Sequence, residues 1–207
     1  MKENSSNSDS TLILVQKQAA AGNEDAFKII YYRFYKKLYS FALAIVKTRE
    51  AAEEITEDLF IRIWQQKENL ASINNLRVYL YIATKNAALN YLAKKAKDNL
   101  TEPFDHINIG LSKSVLTPEQ ILITAEMHQK IQQAVESLPP RCKMIFKLVR
   151  EDGLMYKEVA DILNISINTI DVQMAIAVKK IAAALGPEFD FPLPEKVKYT
   201  SPRKDRI

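Results

Sequence analysis

The stretch that decides the fold is YKEVADILNISINTIDVQMAIAVKKI, residues 156–181. It reads as two short helices joined by a tight turn. Ala160 is small where two helices must touch, and Asn164 can take the left-handed conformation that usually falls to glycine. Ser166 caps the helix that follows, and Ile170 fills the space between the two. A pair built this way is the helix-turn-helix, whose second helix enters the DNA major groove with its N-terminal residues facing base edges. A plain helical hairpin in a core has the same outline, but the turn and cap chemistry favours the DNA reader.

Outward from this stretch the chain keeps reading as helix. Phe27, Ile30, Phe34, Leu38, Phe41 and Ile45 recur at steps of three and four, behind Gly22, which ends a short first helix, and Asn23, which caps the next. Ala52, Ile55, Leu59 and Ile63 carry a further helix, and Leu76, Leu80, Ala83 and Ala87 another. Periodicity stops between Asp98 and Thr117, which predicts a linker. Thr117, Pro118 and Gln120 then form a helix start, with cap, proline at the first position and capping-box partner. That helix runs to Pro139 and Pro140, and shorter pieces are expected near 140–150, 156–163 and 167–185, broken at Gly153 and Asn164. After Leu185, four prolines and no period predict a mobile tail. The expectation is an all-α chain of two small helical domains, 10–97 and 118–185, joined by a flexible linker at 98–117 and followed by a disordered tail at 186–207.

Composition narrows the function. The 207 residues are 47% hydrophobic, enough for ordinary cores, and four glycines are too few for phosphate-cradling loops or many hairpins. Net charge of +4 hints at an anionic partner. One cysteine, Cys142, cannot form an internal disulfide, and the polar opening MKENSSNSDS is followed by no long apolar run. A cytoplasmic protein without signal peptide or membrane insertion is the expectation. His106 and His128 lie in no metal-ligand spacing with Cys142, and no nucleophile or Walker motif is present, so neither metal, cofactor nor enzyme activity is expected.

Two further helices carry one sign of charge each. Glu50, Glu53, Glu54, Glu57 and Asp58 form an acidic run without a base. The like pairs one turn apart cost each helix pair a few tenths of a kcal/mol. A solvated face explains such a run, whereas docking to a basic protein surface explains its uniform sign. Between Asn74 and Lys97 the sign reverses, with Arg77, Lys85, Lys94, Lys95 and Lys97 interleaved by Tyr79, Tyr81 and Tyr91. Cations for phosphates with rings for unstacked bases suit single-stranded nucleic acid. Lysines complementing a helix C-terminus and tyrosines that simply pack give the same composition. Trp64 is expected to plug the core of the first half.

Taken in order, these residues resemble the bacterial RNA polymerase sigma factors of the extracytoplasmic-function (ECF) group, in the sigma-70 family. DAFKIIYYRFYKKLYSFALAIVK (25–47) followed by AAEEITEDLFIRIW (51–64) is similar to the start of the family's first domain, whose acidic helix grips the clamp helices of RNA polymerase. LRVYLYIATKNAALNYLAKKAK (76–97) looks like its promoter-melting helix, and VESLPPRCKMIFKLVREDGLMYKEVADILNISINTI (135–170) like its second domain. Met155 stands where the family usually has a capping serine or threonine.

The resemblance implies polymerase binding by Glu53, Glu54, Glu57 and Asp58, and melted-promoter binding by Tyr81, Lys85, Asn86, Asn90, Lys94 and Lys95. Upstream-promoter binding falls to Ser166, Asn168, Thr169, Asp171, Val172, Gln173, Lys179 and Lys180. Within that last set, Asn168 and Gln173 can bond an adenine edge, Asp171 a cytosine amino group, and Val172 a thymine methyl, while Lys179 and Lys180 suit phosphates. The implied partners are core RNA polymerase, promoter DNA as upstream duplex and as melted strand, and an anti-sigma factor. A stand-alone helix-turn-helix regulator and a helical adaptor that touches no nucleic acid are the competing functions.

Overall fold

The computed structural model describes residues 3–98 and 121–185, and no strand occurs among the described residues. The expected linker, the Thr117–Pro118–Gln120 helix start and the C-terminal tail lie outside them.

Helix α1 (Glu3–Ala20) is followed by α2 (Glu24–Val46) across Gly22, whose φ of 90° reverses the chain. Asn23 starts α2 as expected, its Oδ1 accepting the Ala26 N–H at 3.0 Å. Glu24 and Asp25 in the first turn complement the helix dipole. The other end is closed by Lys47, left-handed at φ 69°, whose Nζ also donates to the Ala44 carbonyl at 2.7 Å. Of the six apolar positions read on α2, Ile30, Phe34, Leu38, Phe41 and Ile45 are buried. Phe27 is half-buried, with its ring against Phe60 and Trp64.

Helix α3 (Arg49–Gln65) buries Ala51, Ala52, Ile55, Thr56, Leu59, Phe60 and Ile63 against α2. A 3₁₀ turn at Lys67–Ser72 follows, which no periodicity announced. It is held by the buried amide of Gln16, whose Nε2 donates to the carbonyls of Leu70 and Ile73. Helix α4 (Leu76–Asp98) packs on α2 and α3, burying Leu76, Leu80, Tyr81, Thr84 and Ala88. Trp64 is not a core plug. It lies half-buried at the α2–α3 surface, with the Lys67 ammonium 5.3 Å from its ring, because α3 turns that position outward.

The second unit comprises α5 (Ile121–Glu136), α6 (Pro140–Phe146) with a π-helical turn at Lys147–Glu151, α7 (Tyr156–Leu163) and α8 (Ile167–Leu185). Pro140 opens α6 at its first turn, where its missing N–H costs nothing. Cys142, Val135, Leu138, Ala177 and Ile181 form the core between α5, α6 and α8. Lys143 and Lys147 are buried along α6 and the π turn, with heads satisfied by Glu136 and Glu151 at 2.8 Å each. Gly153, at φ 73°, turns the chain into α7. The two units touch: α7 lies against α4, and one apolar cluster runs from Leu80 and Tyr81 to Leu154, Val159 and Ile162.

Candidate nucleic-acid interface and docking surfaces

The acidic ridge follows from the pitch of α3. Because Ala52, Ile55, Thr56 and Leu59 face the core, the intervening Glu53, Glu54, Glu57 and Asp58 are all driven to the exposed side. None has an ion-pair partner among the described residues, so the ridge presents acidic side chains alone to solvent. A groove lies on either side of it. Between α2 and α3 a cavity of about 630 Å³ is lined by Phe27, Tyr31, Phe60, Trp64 and Glu57. Burial, then the Glu57 charge, raises the Tyr31 phenol above its ordinary pKa.

The second groove, of about 610 Å³, separates α3 from α4. From α4 it takes Tyr79, Asn86, Asn90, Tyr91 and Lys94; from the opposite wall it takes Glu54, Asp58, Arg62 and, from the 3₁₀ turn, Asn69. Amides, rings and a cation at one rim are the groups that can bond and stack an unpaired base. The structure therefore brings Asn86, Asn90 and Lys94 together, and Lys95 is exposed nearby on the same helix. It does not bring Tyr81 and Lys85 to them. Tyr81 has no exposed surface, and its Oη donates to Asp152 Oδ2 at 2.7 Å. Lys85 Nζ donates to the Ile162 carbonyl at 2.7 Å. Burial, then the Asp152 carboxylate, pushes the Tyr81 phenol far above its usual pKa, so it stays a donor. Tyr79, Arg62 and Asn69 are groove residues that the sequence reading left out of its site. Tyr79 shares a helical stripe with Asn86, Asn90 and Lys94, a signal that was present; Asn69 sits in the unannounced turn.

In the helix-turn-helix, Asn164 is left-handed at φ 54° and ψ 52°, with its N–H directed to the Ala160 carbonyl. Ser166 Oγ accepts the Thr169 N–H at 3.1 Å and lies 2.8 Å from Thr169 Oγ1. Ile170 and Met174 are fully buried, which fixes the opposite face of α8 outward. Asn168, Asp171 and Val172 are exposed, and Thr169 and Gln173 partly so. Lys179 is exposed; Lys180, also at the surface, directs its Nζ to the Ser137 carbonyl at 3.2 Å. The lone thiol, Cys142, bonds the Gln173 carbonyl at 3.2 Å and is raised in pKa by burial, anchoring α8 on α6. Among the described residues no cluster could hold a metal ion, and no helix is long and apolar enough to cross a membrane.

Comparison with known proteins agrees with both halves of this geometry. The model of Sigma-70 region 2 matches residues 30–98, and that of Sigma-70, region 4 matches residues 128–181. The chain is 24% identical over 164 residues to the ECF RNA polymerase sigma-E factor of Escherichia coli (strain K12), covering 76% of this chain and 85% of the relative. It is 26% identical over 165 residues to the ECF RNA polymerase sigma factor SigW of Bacillus subtilis (strain 168), covering 76% and 88%. Similar solved structures are the sigma factor RpoE in complex with the anti-sigma factor NepR from Bartonella quintana and CnrH in complex with the cytosolic domain of CnrY. The first has TM-score 0.51 and 19% identity, covering 77% of this chain and 96% of that one; the second has 0.50 and 16%, covering 84% and 96%. A stand-alone regulator is not favoured, since the region 2 match accounts for the domain in front. The acidic α3, the groove of α4 and the helix-turn-helix thus stand in the order of an ECF sigma factor, and the chain belongs to that group of the sigma-70 family, whose work is to bind core RNA polymerase and direct it to promoters.

Proposed function

We propose that the three surfaces divide this work. The ridge of Glu53, Glu54, Glu57 and Asp58 docks on a basic surface of core polymerase. The α3–α4 groove, with Asn86, Asn90, Lys94 and Lys95, holds the melted promoter strand, and Tyr81 and Lys85 join it when their present partners leave. Helix α8 reads the upstream duplex: Ser166 and Thr169 set its entry, Asn168, Asp171, Val172 and Gln173 meet bases, and Lys179 and Lys180 meet phosphates. The working units are residues 10–97 and 118–185. Holding both promoter elements at once lets two modest contacts act as one strong one.

The observation that carries the reading is the uniform acid ridge beside an amide- and ring-lined groove on a chain that also holds a helix-turn-helix. The protein itself performs no catalysis and acts in the cytoplasm, where polymerase is. An anti-sigma partner is part of the proposal, supported by one of the similar structures, in which the sigma factor RpoE is in complex with the anti-sigma factor NepR. The test is mixing with core polymerase: the chain co-elutes and enables promoter-dependent transcription, and the triple variant Glu54→Lys, Glu57→Lys, Asp58→Lys does neither while keeping its helical content. Unchanged co-elution of that variant refutes the docking assignment.

A further inference from the structure

The outward face of α8 changes character along its length. Asn168 and Asp171 open it with polar groups, Lys179 and Lys180 close it with cations, and between them Val172, Ala175 and Ile176 are exposed. Val172 is 49% and Ile176 40% exposed, although both are large apolar side chains. They stand one turn apart, at i and i+4, with Ala175 at i+3 beside them. The buried set, Ile170, Met174, Ala177 and Val178, occupies the other side of the helix, so the core does not call on Val172 or Ile176.

Folding alone gives no reason for this choice. β-branched side chains lose rotamer freedom in a helix, and alanine or lysine at either place would suit α8 better and leave less apolar surface in water. Single apolar residues scattered over a surface need no explanation, but these adjoin one another on the face that a helix-turn-helix turns to DNA. Charge is a second observation. From Ile167 to Val178 the helix carries no cation, and its one ionisable side chain is Asp171. That stretch gains nothing from phosphates. It offers apolar contact instead, and the apolar group that a base pair presents in the major groove is the C5 methyl of thymine.

We infer that Val172 and Ile176 form a methyl-reading stripe, which makes Ile176 a specificity-determining residue for thymine in the upstream element. Methyl reading rests on the role proposed above for α8 and deepens it. Helical pitch sets the spacing: the two side chains are ~6 Å apart along the axis and base pairs stack at about 3.4 Å, so they meet methyls on different base pairs, roughly two steps apart or fewer. Lys179 is exposed one turn beyond Ile176 and supplies the phosphate contact that the stripe lacks.

The test uses the full chain with core polymerase. Promoter duplexes are selected from a library randomised over the upstream element. Each thymine of the selected sequence is then replaced in turn by uracil, which keeps the hydrogen-bonding groups and lacks only the methyl. Apparent affinity of the wild-type holoenzyme is expected to fall about fourfold at two nearby positions, the factor for leaving one methyl-sized group in water. Ile176→Ala should bind the thymine duplex as weakly as wild type binds one of the uracil duplexes, and be indifferent to that swap. Val172→Ala should behave in the same way at the other position. Both changes put alanine at an exposed helical site, and circular dichroism checks that helical content is kept.

Uracil swaps that are silent throughout overturn the inference, as does sensitivity at both positions that survives in Ile176→Ala. A loss in Ile176→Ala that is equal on thymine and uracil duplexes, or that already shows as weaker co-elution with core polymerase, marks the stripe as a protein contact and overturns it too. A library that returns no upstream preference overturns base reading by α8 and methyl reading together. A preference that Asn168→Ala alters while every uracil swap is silent overturns methyl reading alone.

Discussion

Helix α7 begins poorly, and its first turn can be improved in a way that measures the argument. Met155 has the extended backbone of an N-cap, φ −72° and ψ 153°, but its thioether, which faces the Glu158 N–H, is only a weak acceptor. The capping is left to Glu158, whose Oε2 accepts the Met155 N–H at 2.9 Å while its Oε1 takes Asn75. Met155→Ser places an acceptor where the first orphan N–H groups point and loses little packing, since Met155 is 64% exposed. A serine cap contributes about 1 kcal/mol, within a range of ~0.5 to 2. For a chain of this length the melting temperature should rise by about 2–4 °C per kcal/mol. Glu158→Ala works the other way, removing the bond to the Met155 N–H and the bond from Asn75. The first costs about 1 kcal/mol as a lost cap, and the second ~1 kcal/mol more, Asn75 being exposed enough to regain water. Thermal denaturation followed by circular dichroism gives the totals, and hydrogen exchange at the amides of Tyr156, Lys157 and Glu158 locates them. The reasoning fails if Met155→Ser leaves both the melting temperature and those amides unchanged, because the start of α7 would then not limit its stability.

Other tests follow from neighbouring residues. Ile170→Ala empties a fully buried site between α7 and α8 and should cost about 2–5 kcal/mol, seen as a lowered urea midpoint with upstream-element binding lost. Gln173→Ala should cost about 1–3 kcal/mol at one base pair of the upstream element, whereas Lys179→Ala weakens all sequences alike; a promoter library selected with each variant separates the two, and an unchanged preference for Gln173→Ala refutes base reading by that face. Burial raises the Asp152 carboxyl above its ordinary value of 3.8, against the opposing influence of the Tyr81 hydrogen bond and the Lys147 and Lys37 charges, with Glu151 adding to the rise. The folded chain therefore binds this proton more tightly than the unfolded one, so its contribution is full below 3.8 and is lost as pH rises through the raised value. Stability of wild type relative to Asp152→Asn, from urea titrations at several pH values, should fall across that interval, and a flat difference refutes it.

The sequence was most legible where punctuation is chemical. Asn164 and Ser166 mark a left-handed turn and a cap, so α7 and α8 begin and end where they were read, at 156–163 and 167–185. Periodicity likewise placed α2, α3 and α4, because each presents a single apolar face to one core. The 3₁₀ turn at Lys67–Ser72 escaped, since what holds it is Gln16, more than fifty positions away. Tyr81 was read as a base-stacking ring because its stripe also holds Lys85; its ring packs on Phe41 and its hydroxyl is bonded to Asp152, 71 positions on, and no local pattern encodes that pairing. Trp64 was misplaced for a related reason: its spacing from Phe60 suits a core, but the α2–α3 surface opens into a groove there. The exposed residues of the acid ridge and of α8 were easier, because helical pitch alone turns them outward once the buried positions are known.

The groove at Trp64 also gives the protein a built-in optical reporter. This is the one tryptophan in the chain, and it stands in the first unit, half-exposed between the Phe27 ring at 4.9 Å and the Lys67 ammonium. Its emission should respond to what occupies that groove and stay indifferent to duplex DNA held on α8, which belongs to the other unit. Selective excitation therefore follows one half of the molecule in a mixture of both, with no dye, label or added cysteine required.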